Sequence, residues 1–321
     1  MSPRLSLALE SGLTLSQPVS VLAPTSDHDL SELPRETQVV QPFKPFHDHF
    51  EAQGFAATPA ADDPCQDAIV FLPRAKALAR ALVHQACHRA SGTVVVDGAK
   101  TDGVDSLLKD IRKRVPVEGP IAKAHGKIFW FQSDPAAFSD WAAAETQQAD
   151  GFQTAPGVFS ADGIDPASAL LLKALPIKLG SRVADLGAGW GYLSAGLLKD
   201  DSIRALHLVE ADHTALDCAR ANVTDSRAQF YWADAVTWNA PEPIDTVIMN
   251  PPFHTSRSAD PALGQGFISA AARNLVRSGH LWMVANRHLP YEATLSDMFA
   301  QVDEVAGDNR FKVFHASRPR R

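Results

Sequence analysis

The segment Val183-Ala-Asp-Leu-Gly-Ala-Gly-Trp-Gly191 constrains this chain more than any other. A short apolar run carrying one acid, Asp185, meets three glycines at alternate positions, Gly187, Gly189 and Gly191. Glycine reaches positive φ without steric cost and lets another molecule approach the backbone. The segment therefore reads as a buried strand, a tight turn and the start of a helix. Such a unit belongs to α/β folds with a parallel sheet, whose ligands sit beyond the carboxyl ends of the strands. The spacing is G-x-G-x-G, not the G-x-G-x-x-G that places a pyrophosphate on a helix N-terminus. That difference favours a nucleoside with an amino-acid tail over a dinucleotide.

The flanking pattern extends the unit. Strands are expected at 181–186, 205–209, 229–232, 245–249 and 280–285, with helices at 192–199 and 213–222. Apolar runs separated by helices imply parallel strands buried on both faces. The apolar positions around Val302 and from Phe311 to Phe314 are close enough in sequence for an antiparallel hairpin. An Ala/Gln/Gly-rich stretch within 133–165 marks a boundary, giving domains 1–150 and 151–321, as a length of 321 residues suggests.

The first half repeats the second in outline. Asp67-Ala-Ile-Val-Phe-Leu-Pro73 aligns with Asp245-Thr-Val-Ile-Met-Asn-Pro251, with proline six residues after aspartate in both. Gly92 to Lys100 parallels Gly279 to Arg287, and Lys127 to Phe131 parallels Phe311 to Phe314. Leu72 stands where the second copy has Asn250, and nothing before residue 67 resembles a glycine turn. The first domain is therefore expected to be a degenerate copy that kept the fold and lost the site.

Composition removes several classes. No apolar run approaches the ~20 residues of a membrane span, and Glu10 interrupts any signal-peptide core. Cys65, Cys87 and Cys218 are far apart and form no C-x-x-C pair, which points to a reducing, cytoplasmic setting without a disulfide framework. Histidines and acids show no metal-ligand spacing. The net charge of -7 argues against a general nucleic-acid coat protein. Two local basic runs nevertheless qualify for phosphate contact: Lys109 to Lys127, and Arg310, Lys312, Arg318, Arg320 and Arg321.

Acids at successive strand ends complete the cofactor reading. Glu210 lies nineteen residues past Gly191 and ends the second strand; a carboxylate there offers two oxygens to two ribose hydroxyls. Asp234 ends the third strand, placed to accept from an adenine amine, and Asp185 would hold water or an ammonium near the turn. Asp165-Pro166 reads as an N-cap with proline at the first helical position. His213 and His254 read as ordinary surface residues.

Asn250-Pro251-Pro252-Phe253 ends the fourth strand. The prolines stiffen the backbone and remove two N–H donors, leaving the Pro251 carbonyl and the Asn250 side-chain oxygen as acceptors. Two acceptors can hold both hydrogens of a planar –NH2 group and expose its lone pair to an electrophile. Catalysis would then rest on positioning and electrostatics, with Phe253 offering a face for a base.

On these motifs the chain resembles the class I S-adenosyl-L-methionine-dependent methyltransferases, in the branch that acts on planar nitrogens. More narrowly it resembles the ribosomal RNA small subunit methyltransferase C family. The match is carried by Pro156-Gly-Val-Phe-Ser160, Asp162-Gly-Ile-Asp165, Asp185 to Gly191, Asn250 to His254, Val284-Ala-Asn286, Leu289-Pro-Tyr291 and Arg310-Phe-Lys-Val313. The resemblance implies two tandem Rossmann-like domains, with a seven-stranded, mostly parallel sheet in the second. It implies methylation of a guanine N2 in 16S rRNA, with Asn250 and Pro251 gripping the amine and Phe253 stacking on the base. The first domain would serve folding or RNA docking, and the protein would be a cytoplasmic monomer acting on rRNA, naked or within the assembled small subunit. Large-subunit guanine-N2, adenine-N6 and protein glutamine targets remain open at this point, as does a non-catalytic RNA-binding assembly factor. A dinucleotide oxidoreductase is opposed by the glycine spacing.

Overall fold

The computed structural model describes residues 3–143, 147–252 and 261–320. It divides into two compact units, Met1–Gln147 and Gln148–Arg321.

The first unit contains helices α1 (Pro3–Glu10), α2 (Lys44–Ala52), α3 (Lys76–Arg89) and α4 (Val104–Ile111). Its strands are β1 (Val19–Leu22), β2 (Gln38–Val40), β3 (Ala56–Thr58), β4 (Asp67–Phe71), β5 (Thr93–Ala99), β6 (Glu118–Lys123) and β7 (Gly126–Gln132). They form one sheet in the order β3-β2-β1-β4-β5-β7-β6. Neighbours are parallel from β3 to β5, and β7 is antiparallel to β5 and β6. Successive side chains of a strand point to opposite faces. In β4, accordingly, Ile69 and Phe71 enter one apolar core while Ala68 and Val70 enter the other.

A two-stranded sheet, β8 (Gln147–Ala149) with β9 (Phe152–Thr154), follows. The second unit then runs α5 (Pro166–Ala174), β10 (Arg182–Leu186), α6 (Tyr192–Leu197), β11 (Ala205–Glu210), α7 (His213–Asn222), β12 (Ala228–Trp232) and β13 (Ile244–Met249). It ends with α8 (Pro261–Asn274), β14 (Leu275–Asn286), α9 (Glu292–Met298), β15 (Phe299–Gly307) and β16 (Phe311–Pro319). Its sheet order, β12-β11-β10-β13-β14-β16-β15, repeats that of the first unit strand for strand. Parallel pairing holds from β12 to β14, and β16 is antiparallel to β14 and β15. Both sheets are thus seven-stranded and mostly parallel, and the architecture is that of tandem Rossmann-like domains.

The aspartate shared by the two copies has a structural task. Asp245 Oδ2 accepts from the backbone N–H groups of Ser181 and Arg182 at 3.0 and 2.9 Å, tying the start of β13 to β10. Asp67 at the start of β4 accepts from Ser16 N at 2.6 Å and Thr93 N at 2.5 Å. Each acid satisfies backbone donors that a strand start would otherwise leave unpaired.

One basic run is less available than its sequence suggests. Lys312 is only 4% exposed, lies over the Phe314 ring and pairs with Glu292, so it is removed from the candidates for phosphate contact. In the other run Lys127 pairs with Asp105 at 2.6 Å and Arg114 with Asp140, whereas Lys109 and Arg112 are exposed. No helix among the described residues is long and apolar enough to cross a membrane.

Candidate active site

Between β10 and α6 the chain makes the glycine turn. Gly187, Gly189 and Gly191 have φ of +77°, +56° and +92°, a region that side-chain-bearing residues enter at a cost of roughly 1–2 kcal/mol each. The turn is fastened to β11 by hydrogen bonds from the N–H groups of Gly187 and Ala188 to the Val209 carbonyl, at 2.9 and 3.1 Å. A Cβ on Gly191 would lie 3.0 Å from Val223 Cγ2 and 3.3 Å from Ala219 Cα, so glycine is required for helix packing there. A Cβ on Gly189 would meet no protein atom within 4 Å. This turn therefore has one glycine facing protein and one facing open space.

The strand-end acids divide by role. Asp185 is fully buried, and one of its oxygens accepts from Ser194 Oγ at 2.7 Å. Its Oδ1 is a buried acceptor with no hydrogen-bond partner among the described residues, and burial raises the carboxyl pKa to about 6. Glu210 accepts from Gly189 N at Oε2 and from Asp212 N at Oε1, both at 2.8 Å. Burial outweighs these donors and lifts its pKa to about 7. Each carboxylate oxygen keeps a further lone-pair site, so both can still accept a hydroxyl. At the end of β12, Asp234 Oδ1 accepts from Val236 N at 2.9 Å and closes the turn.

At the end of β13, Asn250 is held from α5. Its Nδ2 donates to Asp165 Oδ2 at 3.0 Å and to Ser168 Oγ at 2.8 Å. Its Oδ1 is buried and has no hydrogen-bond partner among the described residues. Asp165 does cap α5, accepting from Ser168 N at 2.8 Å, but it also orients Asn250. The Asp165-Pro166 pattern in the sequence signals the first task alone. Asp165, Ser168, Gly187, Gly189 and Asn250 line one cleft together with Phe159, which is 60% exposed. Pro251 is buried and Pro252 exposed. Phe253 and His254 lie outside the described residues.

Two further features of this region were not read from the sequence. Trp190 donates its indole N–H to the Phe159 carbonyl at 2.8 Å, joining the glycine turn to the 157–160 loop. Asn222 closes α7 against the glycine turn and β9, donating to the carbonyls of Trp190 and Gln153 at 2.8 Å and accepting from Gln153 N at 2.7 Å. A tryptophan between two glycines was the available signal for the first; nothing in the spacing marks the second. His213 pairs with Asp217 at 3.1 Å on the surface of α7. Although spacing suggested no metal ligands, His47, Asp48 and Glu51 on α2 bring one ligand atom each within 4.8 Å of one another. Lys44 is paired with Asp48 there.

Residues 150–315 match the family model of the methyltransferase small domain. The ribosomal RNA small subunit methyltransferase C of Shewanella sp. (strain MR-4) is 31% identical over 265 residues, covering 78% of this chain and 77% of its own. The chain belongs to this methyltransferase family. The Shewanella halifaxensis methyltransferase C is 29% identical and covers 94% of this chain and 95% of its own. Among solved structures, a T. thermophilus 16S rRNA N2 G1207 methyltransferase, in complex with AdoMet and guanosine, superposes with a TM-score of 0.78. That match covers 97% of this chain and 90% of that one at 22% identity, and it supports the tandem fold. In this small subunit methyltransferase C family member, the glycine turn and Glu210 are in direct contact. Asn250 joins the turn glycines in one cleft.

Proposed function

We propose that this methyltransferase transfers a methyl group from S-adenosyl-L-methionine to the exocyclic N2 of a guanine in 16S rRNA. The observation that carries the reading is the unpartnered, buried Asn250 Oδ1 in the cleft shared with Gly187 and Gly189. A buried acceptor without a donor costs free energy unless a ligand supplies one. A planar –NH2 group does so.

The residues fit the methyl donor as well. Gly189 leaves room beside the turn, and Glu210 retains acceptor sites for two ribose hydroxyls. Asp234 at the end of β12 is assigned to the adenine amine, and Asp185, tied through Ser194 to α6, is assigned to holding water or the ligand's ammonium near the turn. When bound, S-adenosylmethionine supplies an electrophilic methyl group on a sulfonium. Asn250 Oδ1 and the Pro251 carbonyl each accept one hydrogen of the target amine, which turns its lone pair toward that methyl. With the donor bound, that lone pair would form the N–C bond as the donor's C–S bond gave way, and the methylated amine would release its proton to solvent. No strong base is required, and the rate gain comes from orientation and fixed dipoles. Phe253, next in sequence, is assigned to stacking on the base.

The first unit, as a degenerate copy, is assigned to folding support or RNA docking. Three buried free thiols agree with a cytoplasmic location. We take the working form to be a monomer. The printed names of the relatives and the solved neighbour support the rRNA and guanine assignments.

The experiment supplies radiolabelled S-adenosylmethionine with naked 16S rRNA, assembled small subunits, large-subunit rRNA and a release-factor protein in parallel. Label on guanine N2 of 16S rRNA supports the reading. Label on protein or on large-subunit rRNA alone rejects it.

A further inference from the structure

We infer that Asp165 and Ser168 are positioning residues that lock the Asn250 amide with its oxygen, not its nitrogen, toward the reacting amine. This rests on the proposed methyl transfer at Asn250. An asparagine amide has nearly the same shape after a half-turn about its last torsion, but the chemistry inverts. One orientation offers an acceptor to the amine hydrogens. The other offers two N–H donors, which repel those hydrogens and leave the lone pair misdirected.

The structure breaks this symmetry from the α5 side of the cleft. A carboxylate can only accept hydrogen bonds, and Asp165 Oδ2 lies 3.0 Å from Asn250 Nδ2. In the flipped orientation Asn250 Oδ1 would face that oxygen, acceptor against acceptor. Ser168 Oγ, 2.8 Å from the same nitrogen, occupies its second hydrogen. Both donors of the amide are thereby spent, and Oδ1 is left as the free group.

The lock is itself well placed. Asp165 Oδ2 also accepts from Ser168 N as the cap of α5, and Pro166 sets the first helical residue. The oxygen that orients Asn250 is therefore fixed by the start of a helix. Donation to a carboxylate shifts electron density along the amide and strengthens Oδ1 as an acceptor. It also places a negative charge one residue behind an amine that becomes cationic.

Capping alone does not require an acid, because asparagine caps about as well as aspartate. Asp165→Asn therefore keeps the helix start while restoring the ambiguity at Asn250. Ser168→Ala removes one acceptor and leaves the cap. In the full-length protein, isotope-labelled NMR should show the Asn250 side-chain NH2 protected from exchange. Both variants should speed that exchange with little change in melting temperature. With S-adenosylmethionine affinity within about twofold of wild type, Asp165→Asn should lower single-turnover methyl transfer by roughly 10–100-fold. The double variant Asp165→Asn/Asn250→Ala should be no slower than Asn250→Ala.

Unchanged exchange and rate in Asp165→Asn would overturn the inference, as would losses that multiply with that of Asn250→Ala. A wild-type protein that labels no 16S rRNA rejects the substrate assignment separately. In that case the exchange measurement alone decides whether Asp165 holds the amide.

Discussion

The backbone N–H of Gly189 donates to Glu210 Oε2 at 2.8 Å, which makes the glycine turn and the acid of the next strand one hydrogen-bonded unit. The turn and the acid are therefore positioned as a pair. Any ligand that draws on Glu210 also acts on the turn.

The raised pKa of Glu210, about 7 from burial, gives a proton-linked binding prediction. Ligand hydroxyls donating to the carboxylate favour its charged form. S-adenosylmethionine binding between about pH 6 and 7 should therefore release protons, seen as a buffer-dependent binding enthalpy in calorimetry. Glu210→Gln should abolish the dependence. The stability effect has its own sign. A pKa raised from 4.5 to about 7 means the folded state binds the proton more tightly. The contribution is complete below pH 4.5 and lost as pH rises through about 7. The wild-type minus Glu210→Gln difference in melting temperature should fall over that range.

Two turn glycines should fail in different ways. Gly191→Ala drives a Cβ to 3.0 Å from Val223 and 3.3 Å from the Ala219 backbone at φ +92°, so it should lower folding stability. A loss of about 2 kcal/mol in urea titration is expected. Gly189→Ala meets no protein atom, so its strain alone should cost about 1 kcal/mol. Its new methyl group projects beside the ligand path, and S-adenosylmethionine affinity should drop at least about tenfold. Equal affinities for Gly189→Ala and wild type would place the ligand elsewhere.

Asn250→Ala should cut turnover by about 10²–10³-fold, the usual cost of one oriented polar contact to the reacting group. Cofactor affinity should remain within a few-fold, because Glu210 and the glycine turn are untouched. A collapse of cofactor binding in equilibrium dialysis would show that Asn250 serves the cofactor instead.

In the first unit, Arg4 and Asp97 form an ion pair with side chains 10% and 0% exposed. Arg4 Nη1 reaches the carbonyls of Lys123 and Ala124 at 3.3 Å. Removing one partner of a buried pair costs about 3–5 kcal/mol, since the other charge is stranded. Asp97→Ala should therefore lower the denaturant midpoint of the first unit's unfolding without changing S-adenosylmethionine affinity.

Most of the second unit was legible in the sequence because its strands are long enough to show apolar runs between helices. His213–Asn222 was placed to the residue. β14 and β16 are several residues longer than expected: β14 begins at Leu275, which pairs with Ile244 of β13 ahead of the apolar run, and β16 runs past Phe314 to Pro319 by pairing with β14 and β15. The first three strands of the first unit were not legible. They have four, three and three residues, and β3, Ala56–Thr58, has no buried residue to reveal a period. The turn after β1 has Ala23 at φ +57° followed by Pro24, so the positive-φ position survives without its glycine. The hold of Asp165 on Asn250 spans 85 positions, a contact no local pattern encodes.

Leu72 occupies the place in the first repeat that Asn250 holds in the second, and it has become part of the packing. It is 8% exposed, and its side chain fills the space where a Cβ on Gly98 would stand, 2.7 Å from Leu72 Cδ1. Restoring asparagine there would leave a void beside Gly98 and an amide with its oxygen in an apolar core. Packing therefore holds this position in the first repeat, and a Leu72→Asn exchange should destabilise the first unit. One position thus serves packing in the first repeat and lines the cleft in the second, while the two sheets keep the same strand order.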